Sequence, residues 1–384
     1  MPKGRRLRVL LLFGGRSAEH DVSCVTAVAV ARALDPERYE VIPIAITTEG
    51  EWLLAGEARA ALEKGVTALP VAFAVEGEPV RPPSVPSRQE IGPRSSVATD
   101  AELSEGGGLA PDVVLPLLHG PYGEDGTVQG LLELAGLAYV GSGVLGSAVA
   151  MDKIMMKRAF KAAGLPQARY LELRDGDDQR ASRNNAFAAR VVAELGLPVF
   201  VKPVNMGSSV GVTKAHSRAE LDAAIALALQ YDEWCVAEEA VVGREIEVAV
   251  LGDDPPEASV PGEIVPSEEF YTYSDKYEHD DAQLLVPAPI PGSVAAEARA
   301  LAVRAFEACR CEAMARVDFF LEDGPGGRGL LVNEINTIPG FTPISMFPKL
   351  WEESGVSYSA LLDRLIELAL ARHHRRTRRA GKQR

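Results

Sequence analysis

From Leu7 to Phe13 the chain is almost continuously apolar, the pattern of a parallel strand buried on both faces. The run empties into Gly14-Gly15-Arg16-Ser17-Ala18-Glu19, and an Ala- and Val-rich stretch of helical character then reaches Leu34. Strand, glycine turn and helix open a βα unit, with a ligand crevice at the carboxyl end of the strand. Residues 39–46 and 112–118 repeat the buried-strand pattern, and a helix is expected over 127–135. Between them, residues 53–110 include RPPSVPS and SEGGG, which break any period and predict elaborated loop. Further on, a helix over 152–163 is stopped by Gly164 and Pro166. A strand over 197–202, a Gly/Ser loop over 203–211 and two strands around Gly243 follow. Helices over 293–309 and 358–371 complete an α/β pattern.

The most informative stretch is 316–340. Arg316-Val317-Asp318-Phe319-Phe320 and Leu331 to Asn336 both alternate, with DGPGGRG between them, and predict a β-hairpin. Side chains two apart on a strand share a face. Arg316 therefore sides with Asp318, and Glu334 with Asn336. If the strands pair, Asp318, Glu334 and Asn336 converge beside one guanidinium. Two carboxylates and a carboxamide suit Mg²⁺, which takes hard oxygen ligands. The same spacing also describes a solvated acidic hairpin edge.

Other positions carry weaker signals. Glu19 falls in a first helical turn, where it can serve a ligand or simply the helix dipole. Lys153, Lys157 and Lys161 lie one turn apart and read as a wet basic stripe. The loop 203–211 offers many backbone N–H groups, suited to folding over phosphate, although no GxxxxGK[ST] motif occurs. The aromatic-rich stretch 270–277 reads as cover for a site.

At 384 residues the chain has length for two or three domains. No apolar run approaches the roughly 20 residues of a membrane span, and the six-residue run behind the basic start is short for a signal peptide. Cys24, Cys235, Cys309 and Cys311 lack metal-like spacing and fit a reduced, cytoplasmic protein. The net charge is −14, yet the end of the chain from Ala371 carries six Arg and one Lys. Removing those seven charges leaves −21 on the rest, which argues against a nucleic-acid surface. The basic end itself reads as frayed and solvated.

Taken in order, GGRSAEHDVS, HGPYGEDG, Met151-Asp152-Lys153, VKPVNMGSSVG, Glu238-Glu239 before a glycine turn, Lys276-Tyr277, RVDFF and NEINTIPGFT resemble the motifs of D-alanine–D-alanine ligases. These belong to the ATP-grasp carboxylate–amine ligases. The resemblance spans nearly the whole chain except 53–110 and the basic end. It implies a Rossmann-like parallel-sheet domain over 1–140, then a two-domain ATP-grasp fold. The central subdomain would cover 141–248, the C-terminal subdomain with the metal site 249–371, and a basic tail 372–384.

The implied activity is ATP-dependent ligation of two D-alanines through an acyl phosphate, for cell-wall peptidoglycan precursors, by a cytoplasmic homodimer. Lys153 and Lys202 would approach the ATP phosphates, and Lys276 the transferred group. Glu238, Glu239 and the backbone through Val241 would meet adenine, and Glu245 the ribose. Asp318, Glu334 and Asn336 would hold two Mg²⁺, with Mn²⁺ as a substitute. Arg316 and the Gly340 N–H would be oxyanion donors. Glu19 would take the first substrate's ammonium and connect through Ser208 to Tyr277. His119 would lie near the first D-alanine, and Ser345 and Met346 near the second.

A D-alanine–D-lactate ligase of the vancomycin-resistance type is the nearest alternative. Tyr277 in the place of Phe favours the dipeptide, while His279 leaves the lactate reading open. A nucleotide-dependent dehydrogenase would need a GxGxxG turn, which GGRSAE is not. A non-catalytic ATP-binding regulator would ordinarily show damage in the metal or oxyanion residues, and none is present.

Overall fold

A computed structural model describes residues 5–65, 70–82, 110–176, 180–266 and 283–380. Lys276, Tyr277 and His279 lie outside the described residues.

The N-terminal part is a parallel-centred sheet. Its elements are β1 (Leu7–Gly14), α1 (His20–Ala33), β2 (Tyr39–Ile46), β3 (Trp52–Leu54), α2 (Gly56–Glu63), β4 (Glu78–Pro79), β5 (Val113–Pro116) and α3 (Thr127–Leu134). The strand order is β4-β3-β2-β1-β5, with β1 parallel to both β2 and β5. Strand β1 is central, which is why Val9 to Phe13 are apolar without a break and buried. Gly14 follows at φ +83°, and a Cβ there would stand 2.4 Å from the Ile46 carbonyl oxygen, so only glycine makes the turn. Part of the expected loop region is ordered: the short strands β3 and β4 extend the sheet edge, with α2 between them. Elements of two and three residues are too short to display a period.

The middle of the chain holds α4 (Val144–Met151), α5 (Lys153–Ala162), β6 (Tyr170–Arg174), α6 (Arg180–Glu194), β7 (Val199–Pro203), β8 (Thr213–Ala215), α7 (Arg218–Tyr231) and β9 (Trp234–Glu239). Asp152 caps α5, accepting the Met155 N–H at 2.8 Å. Strands β6-β9-β7-β8 form an antiparallel sheet.

The last part comprises β10 (Arg244–Leu251), β11 (Glu257–Ala258), β12 (Gly262–Val265), β13 (Gln283–Leu285), α8 (Gly292–Ala308), β14 (Met314–Glu322), β15 (Gly329–Asn336), α9 (Met346–Glu353) and α10 (Tyr358–Ala380). Its sheet runs β13-β12-β10-β14-β15, with β11 beside β10. The two strands expected around Gly243 do not pair with each other. Strand β9 belongs to the middle sheet and β10 to the last one, so the chain changes sheet between Glu239 and Arg244, ahead of the expected boundary at 248/249.

The basic end also departs from expectation. Helix α10 runs on to Ala380 rather than ending at Ala371. Arg372 is buried, donating to the Tyr139 carbonyl at 2.6 Å and the Gly141 carbonyl at 2.5 Å. Arg375 reaches Asp253 at 2.6 Å and Arg376 reaches Glu312 at 3.1 Å. Those partners are scattered along the sequence and gather only in the fold, so the charge run looked solvated when read alone.

Candidate active site

Strands β14 and β15 pair antiparallel as the alternation predicts, with Arg316 opposite Asn336 and Asp318 opposite Glu334. The register then passes to Phe319 opposite Val332, which leaves Asn333 as the extra residue of a β-bulge. The bulge changes which residues face the core. Leu330 and Val332 pack with Val317, Phe319 and Ile335, whereas Glu334 and Asn336 turn to the other face beside Arg316 and Asp318. Without it, Val332 and Glu334 would share one side of the strand.

On that other face Arg316 donates from Nε and Nη2 to the two oxygens of Asp318, both at 2.7 Å. Its Nε also lies 3.1 Å from Glu247, which stands across from Asp318 on β10. Asn336 Nδ2 donates to Asp318 Oδ2 at 3.0 Å, which aims the amide oxygen the other way. Among the described residues no three His, Cys, Asp or Glu side chains gather into a metal cluster. The set is two carboxylates on paired positions plus a carboxamide, a donor chemistry that fits a hard divalent cation.

A second group of charges surrounds Glu238 at the end of β9. Lys202 Nζ lies 3.2 Å from Glu238 Oε2, and Lys157 Nζ 3.3 Å from the same oxygen. Burial works to raise the Glu238 carboxyl, but the two ammonium groups outweigh it and hold the group down at about 2. Burial pulls Lys157 and Lys153 below the ordinary lysine range. Lys153 donates to the Met206 carbonyl at 2.6 Å, tying α5 to the Gly/Ser loop. The expected wet stripe therefore applies only to Lys161; Lys157 is 1% exposed. Glu239 is occupied by Arg169 at 2.7 Å and Arg328 at 2.5 Å, so its side chain serves the frame.

The loop between β7 and β8 holds Ser208 and Ser209 at φ 48° and 59°, left-handed values that L residues adopt at some strain. A Cβ on Gly207 would approach Glu19 Oε2 to 3.3 Å, so glycine lets the loop close on that carboxylate. Glu19 itself is the N-cap residue of α1 rather than part of its first turn, and it is buried. His119 Nδ1 lies 3.0 Å from the Ile338 carbonyl, and Glu124 accepts the Ile338 N–H at 2.9 Å, two residues before Gly340. Ser345 precedes α9 and its hydroxyl lies 2.7 Å from that of Thr342.

One cleft of about 1160 Å³ connects all of this. Every described residue given a site role from the family resemblance lines it: Glu19, His119, Lys153, Lys202, Ser208, Glu238, Glu239, Val241, Glu245, Arg316, Asp318, Glu334, Asn336, Gly340, Ser345 and Met346. Sequence reading missed the parts played by Lys157, Glu247 and Glu124. Glu124 sits inside a quoted motif, and that was its only signal.

Residues 8–142 match the family model described as the D-ala D-ala ligase N-terminus, and 159–367 the one described as its C-terminus. A D-alanine–D-alanine ligase of Geobacillus kaustophilus is 47% identical over 370 residues, 96% of each chain, and one of Bacillus licheniformis is 46% identical over 96% of this chain and 97% of its own. Among solved structures, the D-alanine–D-alanine ligase from Coxiella burnetii superposes with TM-score 0.80 at 33% identity, covering 98% of both chains. The VanG D-Ala:D-Ser ligase from Enterococcus faecalis does so with TM-score 0.79 at 33% identity, over 95% of this chain and all of its own. With both family models matched and this similarity running over nearly the full length, the chain belongs to the D-alanine–D-alanine ligase family.

Proposed function

We propose that the chain joins one D-alanine to another in an ATP-dependent, divalent-metal-requiring reaction that supplies cell-wall precursor, and that it works as a cytoplasmic homodimer. The observation that carries this reading is the gathering of the described motif residues into one cleft, with Arg316, Asp318, Glu334 and Asn336 on a single sheet face.

A carboxylate is a poor electrophile, so the first D-alanine is activated as an acyl phosphate before the amine of the second attacks. Lys153 and Lys202 take the nucleotide phosphates, Glu238 and the Val241 backbone meet adenine, and Glu245 the ribose. Lys276 approaches the transferred phosphoryl group. Asp318, Glu334 and Asn336 would hold Mg²⁺, which would supply positive charge against that of the phosphate oxygens. Glu19 binds the first ammonium, supported by the loop carrying Ser208 and by Tyr277, while His119 fixes the strand end beside it. Ser345 and Met346 receive the second D-alanine. As the amine adds, negative charge builds on a tetrahedral oxygen, which Arg316 and the Gly340 N–H stabilise. One such donor is worth about 3–4 kcal/mol of barrier.

The test is phosphate release from ATP and Mg²⁺ with D-alanine alone, then with D-lactate or D-serine added, the products weighed by mass spectrometry across pH 6 to 9. Dipeptide as the dominant product is expected. Depsipeptide or D-alanyl-D-serine in its place at neutral pH would overturn the substrate reading, and no phosphate release with any of them would overturn the activity.

A further inference from the structure

Of the three lysines around Glu238, Lys153 and Lys202 line the cleft and Lys157 does not. Lys157 comes from α5, is 1% exposed, and has its Nζ 3.3 Å from Glu238 and 5.6 Å from the centre of the Tyr170 ring. An ammonium buried this completely is held there only if a charge partner offsets its desolvation. Both Lys157 and Lys202 make their closest approach to the same oxygen, Oε2. Among the described residues the titratable groups acting on Glu238 include Lys153 and Lys157 from α5, Lys202 from β7 and Tyr170 from β6.

Lys202 has two claims on it, the carboxylate here and the phosphates of a bound nucleotide. Lys157 stands outside the cleft and has only the first. We propose that Lys157 is a positioning residue for nucleotide choice: it keeps Glu238 a carboxylate when the phosphates draw on Lys202, so that Glu238 accepts from a 6-amino purine and rejects a 6-oxo one. This rests on the reading that Glu238 meets adenine. A carboxylate has acceptors only, whereas a protonated carboxyl also donates and tolerates the 6-oxo group. Among the described residues, loss of Lys157 leaves Lys202 as the one cation in ion-pair contact with Glu238 and lets burial raise Glu238 toward neutrality.

The experiment compares ATP with inosine triphosphate, which carries oxygen in place of the 6-amino group, across pH 6 to 9. In the unsubstituted enzyme the ATP preference in kcat/KM is expected to be large and flat with pH. In Lys157→Met it falls about tenfold at pH 7 and further toward pH 6, mainly through a higher KM for ATP. Glu238→Gln loses the preference at every pH, and adding Lys157→Met to it changes the preference no further, because the lysine acts through the carboxylate. Should Lys157→Met not fold, Lys157→Gln read by equilibrium binding of the two nucleotides gives the same comparison. A folded Lys157 variant that keeps a pH-independent ATP preference would overturn the proposal while Glu238→Gln still loses it. If Glu238→Gln also keeps the preference, the assignment of Glu238 to adenine fails as well.

Discussion

Glu124 accepts the backbone N–H of Ile338 at 2.9 Å, a bond that spans 214 residues of sequence. Its other oxygen accepts the Gly120 N–H at 2.8 Å. His119 meets the carbonyl of the same residue, in the next peptide unit, and since a carbonyl only accepts, its Nδ1 carries the proton. Two residues of the N-terminal domain thus grip the segment that ends at Gly340. The position of the Gly340 N–H, a proposed oxyanion donor, therefore depends on contacts with residues far away in the chain.

Removing that grip has a pH signature. Burial pushes the Glu124 carboxyl up to about 7, with His119 opposing and Glu19 adding to the shift. The ionised form accepts both N–H groups strongly, whereas a protonated oxygen is a much weaker acceptor, so kcat should rise from pH 6 to pH 8 with a limb near 7. Glu124→Ala should lower kcat about tenfold or more and erase that limb. Stability runs the other way. The folded chain holds this proton more tightly than the unfolded one, so its contribution fades as pH rises from the ordinary carboxylate range to about 7. Rate profiles and thermal melts of both proteins check the two signs.

Arg316 sits between Asp318 and Glu247. Arg316→Ala should lower kcat 10²- to 10³-fold, the effect of losing an oxyanion donor, with a smaller change in KM for ATP. It also strands two carboxylates, so the melting temperature should fall. A large rise in KM for ATP with kcat intact would contradict the oxyanion role.

Asp318→Ala and Glu334→Gln each remove a carboxylate charge from the proposed metal site on the paired positions of β14 and β15. Calorimetric titration should show nucleotide binding that no longer depends on Mg²⁺, alongside lost turnover. Binding that keeps its metal dependence would move the ion elsewhere.

Arg372 tests the basic end. Its guanidinium satisfies the Tyr139 and Gly141 carbonyls and faces Glu312 at 3.2 Å. Arg372→Met should destabilise the fold by roughly 2–3 kcal/mol through unsatisfied buried carbonyls, as read by denaturant unfolding. A chain truncated after Ala371 should show at least as large a loss, which a solvated tail would not.

The sequence by itself determined the elements whose patterns are long and carry one period. The apolar run of β1, the alternation of β14 and the glycine at the β1 turn each admit little else, because burial on both faces, burial on one face and a left-handed turn leave different residue signatures. It also made the family legible through eight ordered motifs, and it singled out Asp318, Glu334 and Asn336 as the candidate oxygen donors. Tertiary structure decided what depends on partners distant in the chain. Whether Lys157 or Lys161 is wet depends on where Glu238 sits. Strands β9 and β10 look like one hairpin until their separate sheets are seen, since local pattern carries no information about pairing. The Asn333 bulge, which puts Glu334 on the face of Asp318, exists only in the register of one strand against another.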